Sequence, residues 1–368
     1  MGSQTKAGFS STARLGLSLV HARGVGWMIG LAVAGVEYAA SAAGARTPEE
    51  ARAAFRLADP RLTIELVASE PQVSSPVAMS WDLQGRLFVA EMNDYPVGTG
   101  GGRIRLLEDR DGDARLETSR VFAEGVAFPN SVLAWNNGVL ITAAPDLLFL
   151  KDNDGDGQAD ERRVLFTGFA KGNQQLRANG LYWGLDGWIY GANGRSDGEI
   201  TRPGETNAIS LRGHDFRFRP ETGEFETVAG RSQFGLARDD WGGRFLSWNT
   251  VFARHDALPE AFLKPNPRIA AGAGLVSLLA SGDDSVFPTS RAPLTFNRES
   301  VSHFNALGGL FLYRGGALPP DYQGNLFAGE TLLNLVHRRS VHPKGGSYEG
   351  RRTEQNKEFL SSDDPWFH

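Results

Sequence analysis

The stretch "LLFLKDNDGDGQADERRVLFTG" (147–168) sets five carboxylates within ten residues, between two apolar runs. Asp152, Asp154, Asp156, Gly157 and Asp160 spell D-x-D-x-D-G-x-x-D. Side chains at the first, third and fifth positions converge on one hard cation, Gly157 permits the sharp turn, and a carbonyl at Gln158 adds an oxygen. Calcium suits that donor set. An EF-hand needs a bidentate Glu at its twelfth position; Arg163 stands there, so the loop is a hairpin tip. "LLEDRDGDARLETSRVFAEG" (106–125) repeats the pattern with Asp109, Asp111, Asp113 and Glu117, and Ala114 where the second loop has Gly157. Both loops keep a second reading, a solvated acidic turn in which Asp and Gly satisfy the backbone without metal.

The two loops share more than acids. Asp109 falls on Asp152, Glu117 on Asp160, Arg120 on Arg163 and Gly125 on Gly168, always 43 residues apart. A fixed period of this size with several strands per unit points to a β-propeller. A strand pair around a polar turn recurs at 76–92, 128–144, 177–193 and 233–249, with a less regular copy at 303–330. Residues 214–230 supply the outer hairpin of the third unit. Helix signals are confined to 48–57 and 259–263. The expected fold is all-β, a six-bladed-type propeller with about five complete blades. Residues 61–70 are expected to form an unpartnered strand, and "DDPWFH" (363–368) to begin a sixth copy that the chain does not finish, leaving an open flank. The domain boundaries follow: 1–45 a leader, 46–60 a linker or short helix, 61–368 the propeller.

Propeller chemistry sits where the loops before the first strand and after the second meet around the central channel. Polar residues recur at those places: Asn130 with Asp146, Asn179 with Asn193 and Arg195, and Gln233 with Asn249. His303 and Asn305 stand with Glu330 and Asn334, and Glu91, Asn93 and Asp94 come from the first unit. Such a funnel suits a polyol or a polar cofactor. For removal of hydride from an alcohol carbon, His303 is the candidate base and Arg195 the candidate cation for the acceptor's developing charge. His214 and His255 read as structural. Trp81, Trp183, Trp188, Trp241 and Trp248 read as wedges between blades rather than sugar platforms. "GTGGGR" (98–103) lacks a following Lys-Ser/Thr and a helix, so it is a loop and not a phosphate cradle.

Composition narrows the class. Of 368 residues, 41% are hydrophobic and 22% charged, as in soluble globular chains, while 45 glycines exceed the usual ~7% and fit a turn-dense β protein. There is no cysteine, so disulfides, thiolate metal sites and covalently attached haem are excluded on this chain. Residues 1–23 carry Lys6, Arg14 and Arg23 and no acid. The 13 uncharged residues 24–36 and the small residues up to Ala42 and Ala45 follow. That is the pattern of a signal peptide, too short to span a bilayer, and implies export to the periplasm or cell envelope with no membrane span in the mature chain. The remainder stays acidic without a basic block, so nucleic acid is not an expected partner.

Several long motifs carry a resemblance: "GGRIRLLEDRDGDARLETSRVFAEG", "GNQQLRANGLYWGLDGWIYGANGRSDG", "LRGHDFRFRPETGEFE", "GRSQFGLARDDWGGRFLSWNT" and "LVHRR…EFLSSDDPWFH". In order over roughly 60–368, they resemble the propeller of large exported bacterial proteins known as membrane-bound dehydrogenases. There the propeller precedes HEAT-like repeats and a CxxCH haem module. The resemblance implies a haem-domain electron acceptor in the parent protein. More distantly the chain is similar to the glucose and sorbosone dehydrogenases, which implies pyrroloquinoline quinone (PQQ), calcium and a sugar or polyol substrate. Phe128-Pro129-Asn130 stands where those enzymes carry His-Pro-Asp, so their catalytic residues do not transfer. Three functions stay open: a PQQ-type sugar or polyol dehydrogenase, a calcium-dependent lactonase with Glu91, Asn179 and Asn249 around a channel metal, and a non-catalytic glycan- or protein-binding module.

Overall fold

A computed structural model describes residues 46–96, 98, 101–266, 268–270, 272–290, 302–364 and 367; the expected leader, 1–45, lies outside them. The first element, the helix Pro48–Ala54, is set by local chemistry. Thr47 accepts the Glu50 N–H at 3.2 Å, Glu50 returns the bond to the Thr47 N–H at 2.8 Å, and Pro48 occupies the first turn. Among the described residues no helix is long and apolar enough to cross a membrane.

Five antiparallel sheets follow, one for each expected repeat. Blade I comprises Pro76–Trp81, Leu87–Glu91, Arg103–Glu108 and Thr118–Ala123. Blade II comprises Ser131–Trp135, Gly138–Ala143, Asp146–Lys151 and Glu161–Phe169, extended by Gly198–Thr201 and Ile209–Ser210. Blade III is Asn179–Trp183, Ile189–Ala192, Asp215–Arg219 and Glu224–Val228. Blade IV is Leu236–Arg238, Arg244–Trp248, Val251–Asp256 and Leu275–Ser277. Blade V runs from Leu307–Leu312 through Leu326–Glu330 to the long strand Leu335–Lys344. That strand pairs with both Ser347–Arg352 and Leu360–Ser362.

Strand alternation explains the radial order. Val139 and Ile141 point into an apolar cluster shared with Phe88, Ile104 and Phe122 of blade I. Their neighbour Leu140 points the other way, into a cluster with Phe216, Phe218 and Phe225 of blade III. Each blade interface owns one such cluster. Inner strands are also stapled across the interfaces. Ser80 Oγ accepts the Ala134 N–H and Ser131 Oγ the Leu181 N–H, both at 3.0 Å, and Asn179 Oδ1 accepts the Gly235 N–H at 2.7 Å. The chain is a five-bladed β-propeller, as a propeller lacking a complete sixth blade would be.

Two expectations need correction. Residues 61–70 form no strand; Pro60 and Pro71 bracket them and each removes a ladder donor. Instead Val67 O accepts the Leu116 N–H at 3.3 Å, and Ala68 and Val73 pack over Leu87, Val89 and Leu107 on the outer flank of blade I. The N-terminal strand that does pair is Phe55–Leu57, on Leu360–Ser362 of blade V. The aromatic wedge reading holds for Trp188, which is buried, and for Trp248, which packs against the same cluster, and fails for Trp81, Trp183 and Trp241, which are 53%, 40% and 84% exposed. Trp81 shares with Val77 and Met79 the face of its strand turned away from blade II; Phe311 of blade V is likewise exposed.

Candidate functional site

Each blade is an antiparallel meander. The start of its first strand and the end of its second therefore lie at one end, here the mouth, and the turns after its first and third strands lie at the other. The mouth residues anticipated from sequence are present at those places, and most of their polar atoms bond to the backbone. Glu91 is fully buried, accepts the Ser74 N–H at 2.7 Å, pairs with Arg105 at 3.0 Å and is clasped by Arg103. Asn179 Nδ2 donates to the Arg177 and Gln233 carbonyls. Asn193 Nδ2 donates to the Leu211 and His214 carbonyls and to Asp197 Oδ1. Glu330 Oε1 accepts the Asn305 and Ala306 N–H groups and Oε2 the Leu333 N–H, while Asn305 Nδ2 donates to the His303 carbonyl. Asp146 Oδ1 accepts the Thr167 hydroxyl at 2.6 Å. Asn249 meets blade V through its carbonyl, which accepts the Leu307 N–H. Bonds of this kind close the blades, since a backbone N–H left buried without an acceptor is costly.

A few mouth groups are exceptions. Asp94 Oδ2 accepts the Phe128 N–H and Asn130 Nδ2 reaches the Gln174 carbonyl, yet Asp94 Oδ1 and Asn130 Oδ1 are buried without a donor among the described residues. Close by, Arg177 lies over the Phe128 ring at 4.6 Å and donates to the Lys171 carbonyl; burial holds its pKa below the usual arginine value, against the pull of Asp94. Arg195 is exposed, in a left-handed backbone (φ 74°), with Nη1 3.3 Å from Gln233 Oε1. His303 is 45% exposed at its side chain and holds Asp284 Oδ1 on Nδ1 at 3.0 Å. No contact among the described residues joins His303 to Arg195.

The acidic loops follow the third strands of blades I and II, so they lie at the end opposite the mouth. Their bonds are copies of one another. Asp109 accepts the N–H groups of Gly112 and Ala114, and Asp152 those of Gly155 and Gly157. Glu117 accepts the Arg110 N–H and Asp160 the Asn153 N–H. Oxygens of Asp152, Asp154 and Asp156 lie within 4.8 Å of one another, as do those of Asp109, Asp111, Asp113 and Glu117. A metal can be held by either donor set. Asp160 is not in the second group, and the Gln158 side chain turns back onto Asp156 at 3.2 Å. Burial works to raise the Asp152 carboxyl, but the Gly155 and Gly157 N–H groups outweigh it and hold it low. Blade I also reaches the second loop: Arg120, on its fourth strand, donates to the Asp156 carbonyl at 2.9 Å. Ala114 sits at φ 69° where its counterpart Gly157 has φ 84°. Ala114→Gly should therefore raise stability by about 0.5–1 kcal/mol, read from the urea midpoint at unchanged m-value.

Sequence reasoning missed a second set of buried polar groups. Asp215, fully buried, binds the N–H groups of Asn193 and Ser232 and stands 3.8 Å from Arg244. His337 and Glu358 meet at 2.6 Å in blade V. The one available signal is positional: Asp146 and Asp215 both open the third strand of their blades.

Comparison with solved structures finds similar chains at low identity. A Thermus thermophilus protein assigned as an oxidoreductase (glucose dehydrogenase) aligns at 18% identity, covering 79% of this chain and 85% of its own, TM-score 0.48. The PQQ-bound aldose sugar dehydrogenase of Streptomyces coelicolor aligns at 16% identity over 81% and 84%, TM-score 0.45. A virginiamycin B lyase from Staphylococcus aureus matches at 11% identity over 82% and 76%, TM-score 0.40. Likeness at this level carries no argument about chemistry, and the fold rests on the five sheets themselves. The search of curated proteins gives no match. A family model does match, over residues 47–368, and the chain belongs to the family described as "Domain of unknown function (DUF7133)".

Proposed function

We propose that the mouth of this propeller binds a sugar or polyol and oxidises it with PQQ, Arg195 pairing with a cofactor carboxylate and His303 taking the substrate's hydroxyl proton. The observation that carries this reading is Arg195. Its guanidinium is exposed beside Gln233 and has no carboxylate within ion-pair distance among the described residues, whereas neighbouring Arg231 is committed to Asp197 at 2.8 Å. A polycarboxylate cofactor fits such a cation. PQQ, when bound, supplies a two-electron acceptor. The chain's part is orientation and proton transfer. Asp284 on His303 Nδ1 leaves Nε2 to accept a proton, and the unpartnered oxygens of Asp94 and Asn130 suit substrate hydroxyl donors. Calcium would bind the rim loops as a structural ion, since they lie at the far end from the mouth. Export to the periplasm and a haem-domain electron acceptor in the parent protein belong to the same reading.

The test is dye reduction by the purified chain with PQQ, calcium and a panel of aldoses and polyols. Arg195→Gln should cut the rate at least about tenfold, about 1.4 kcal/mol of transition-state binding. No dye reduction with any substrate would sink the proposal. Calcium alone should raise the melting temperature, and Asp152→Asn with Asp154→Asn should reduce that gain to what the Asp109–Glu117 loop supplies. A second reading, glycan binding without turnover, is favoured by the backbone bonds that engage Asn179, Asn193 and Glu330. The lactonase arrangement is disfavoured: two arginines already hold Glu91, leaving no free carboxylate edge for a channel metal.

A further inference from the structure

We propose a second ligand site at the end of the propeller opposite the mouth, a cavity of about 300 Å³ between blades III and IV that takes an acidic sugar, a hydroxylated ring bearing a carboxylate. Its walls come from the turns after the first strands of these blades, 184–188 and 239–243, and from the strands beside them. Tyr182, Tyr190 and Trp241 supply aromatic surface, and Arg238 and Arg244 supply cationic surface.

Three observations point to a ligand. First, Arg244 Nε is a buried polar atom of the lining with no hydrogen-bond partner among the described residues, and the buried Tyr182 Oη has that same arginine beside it. Arg244 is itself 8% exposed, so its unmet donor is held out of bulk water. Second, Arg238 has no carboxylate within ion-pair distance among the described residues. Nε and Nη1 donate only to the carbonyls of Trp183 and Asp239, at 2.5 and 3.3 Å. Burial and nearby Arg314 both hold its pKa below the usual arginine value, against a weaker pull from Tyr182, Asp240 and Asp239, so a ligand carboxylate relieves it. The acid on the opposite wall does not compete, because Asp186 is bound by the Tyr190 hydroxyl at 2.8 Å and Arg217 at 3.1 Å. Third, Trp241 stands 84% exposed on the rim, while Tyr182 and Tyr190 stack at 5.3 Å. An amphipathic ring needs such surface: C–H faces against the aromatics, hydroxyls toward Tyr182 Oη and Arg244 Nε, carboxylate on Arg238. The volume lies at the small end of the range for ligand pockets, the size of one ring.

The experiment is calorimetric titration of the full chain with sodium glucuronate, glucose and acetate, without PQQ, so that the outcome is independent of the mouth chemistry. Glucuronate should bind about tenfold or more tighter than either of the others. Trp241→Ala and Arg238→Gln should each weaken it about tenfold. Trp241 is exposed, so its variant keeps the fold even if Arg238→Gln does not. Equal affinity for glucose, unchanged affinity in Trp241→Ala, or no heat at millimolar glucuronate overturns the proposal.

Discussion

Asp215→Ala should cost about 3–5 kcal/mol, a large part of the stability of a typical domain. The carboxylate is fully buried at the first residue of blade III's third strand. Oδ1 accepts the N–H groups of Asn193 and Ser232, both at 2.9 Å, and Oδ2 accepts the Ser232 hydroxyl at 2.6 Å. One side chain thus ties the exit of the second strand to the turn that leads into blade IV. Gly230 in that turn has φ 112°, and a Cβ there would come within 2.5 Å of Asp215 Oδ2, so the close approach is built into the backbone. Alanine strips three bonds at once and leaves Arg244 buried with Asp256, at 2.9 Å, as its remaining ion-pair partner. Asparagine keeps Oδ1 and presents an N–H₂ to the Ser232 oxygen, so Asp215→Asn should cost only about 1–2 kcal/mol. Urea unfolding at pH 7 measures both. Equal losses in the two variants, or an Ala variant within about 1 kcal/mol of wild type, would refute the assigned role.

The pattern behind that prediction separates what a chain shows from what it hides. The 43-residue offset between Asp109 and Asp152 made the blades readable, because a repeated unit carries its turns and its alternation with it. The strand pairs at 128–144 and 177–193 appear as hairpins for the same reason. Position on the mouth was readable too. What a mouth residue does there was not: Asn179 and Glu330 look like ligand contacts by type, but their partners are N–H and C=O groups brought near by the next blade or the next turn. Residue type reports a capacity for hydrogen bonding; only the assembled backbone shows which capacity is already used. Trp81 and Trp241 fail as wedges for a related reason. Alternation tells that a side chain points to a flank, and not whether a neighbour covers it. The strands 198–201 and 209–210 join blade II from within the third unit, a pairing no local pattern announces.

The same logic gives the second large effect, in blade V, where the expected result is a loss of stability in mild acid. His337 is fully buried between Phe252 and Phe304. Arg339 Nε donates to its Nε2 at 2.8 Å, so Nε2 is the acceptor and Nδ1 carries the proton given to Glu358 Oε2 at 2.6 Å. Burial, with Arg339 and Arg352 nearby, holds the His337 pKa below its ordinary value even against Glu358. Burial also works to raise the Glu358 carboxyl, but His337, Arg352 and the Phe287 N–H together hold it below the ordinary carboxylate range. Both shifts have one sign. With both folded pKa values depressed, the unfolded chain binds protons that the folded chain refuses, so stability falls as pH drops. The loss starts near the unfolded histidine value of ~6.5 and is joined by Glu358 below ~4.5. Between pH 7.5 and 5.5 wild type should lose about 1 kcal/mol more than His337→Gln, whose buried amide does not titrate. Parallel pH profiles for the two proteins would show that His337 is not the group responsible. Glu358→Ala removes the acceptor shared by His337, Arg352 and Phe287 and should cost about 3–5 kcal/mol at pH 7. That variant leaves Arg352 with its carbonyl contacts to Ser285 and Lys357 but no carboxylate. A Glu358→Gln control should recover part of the loss by keeping an acceptor for the His337 proton.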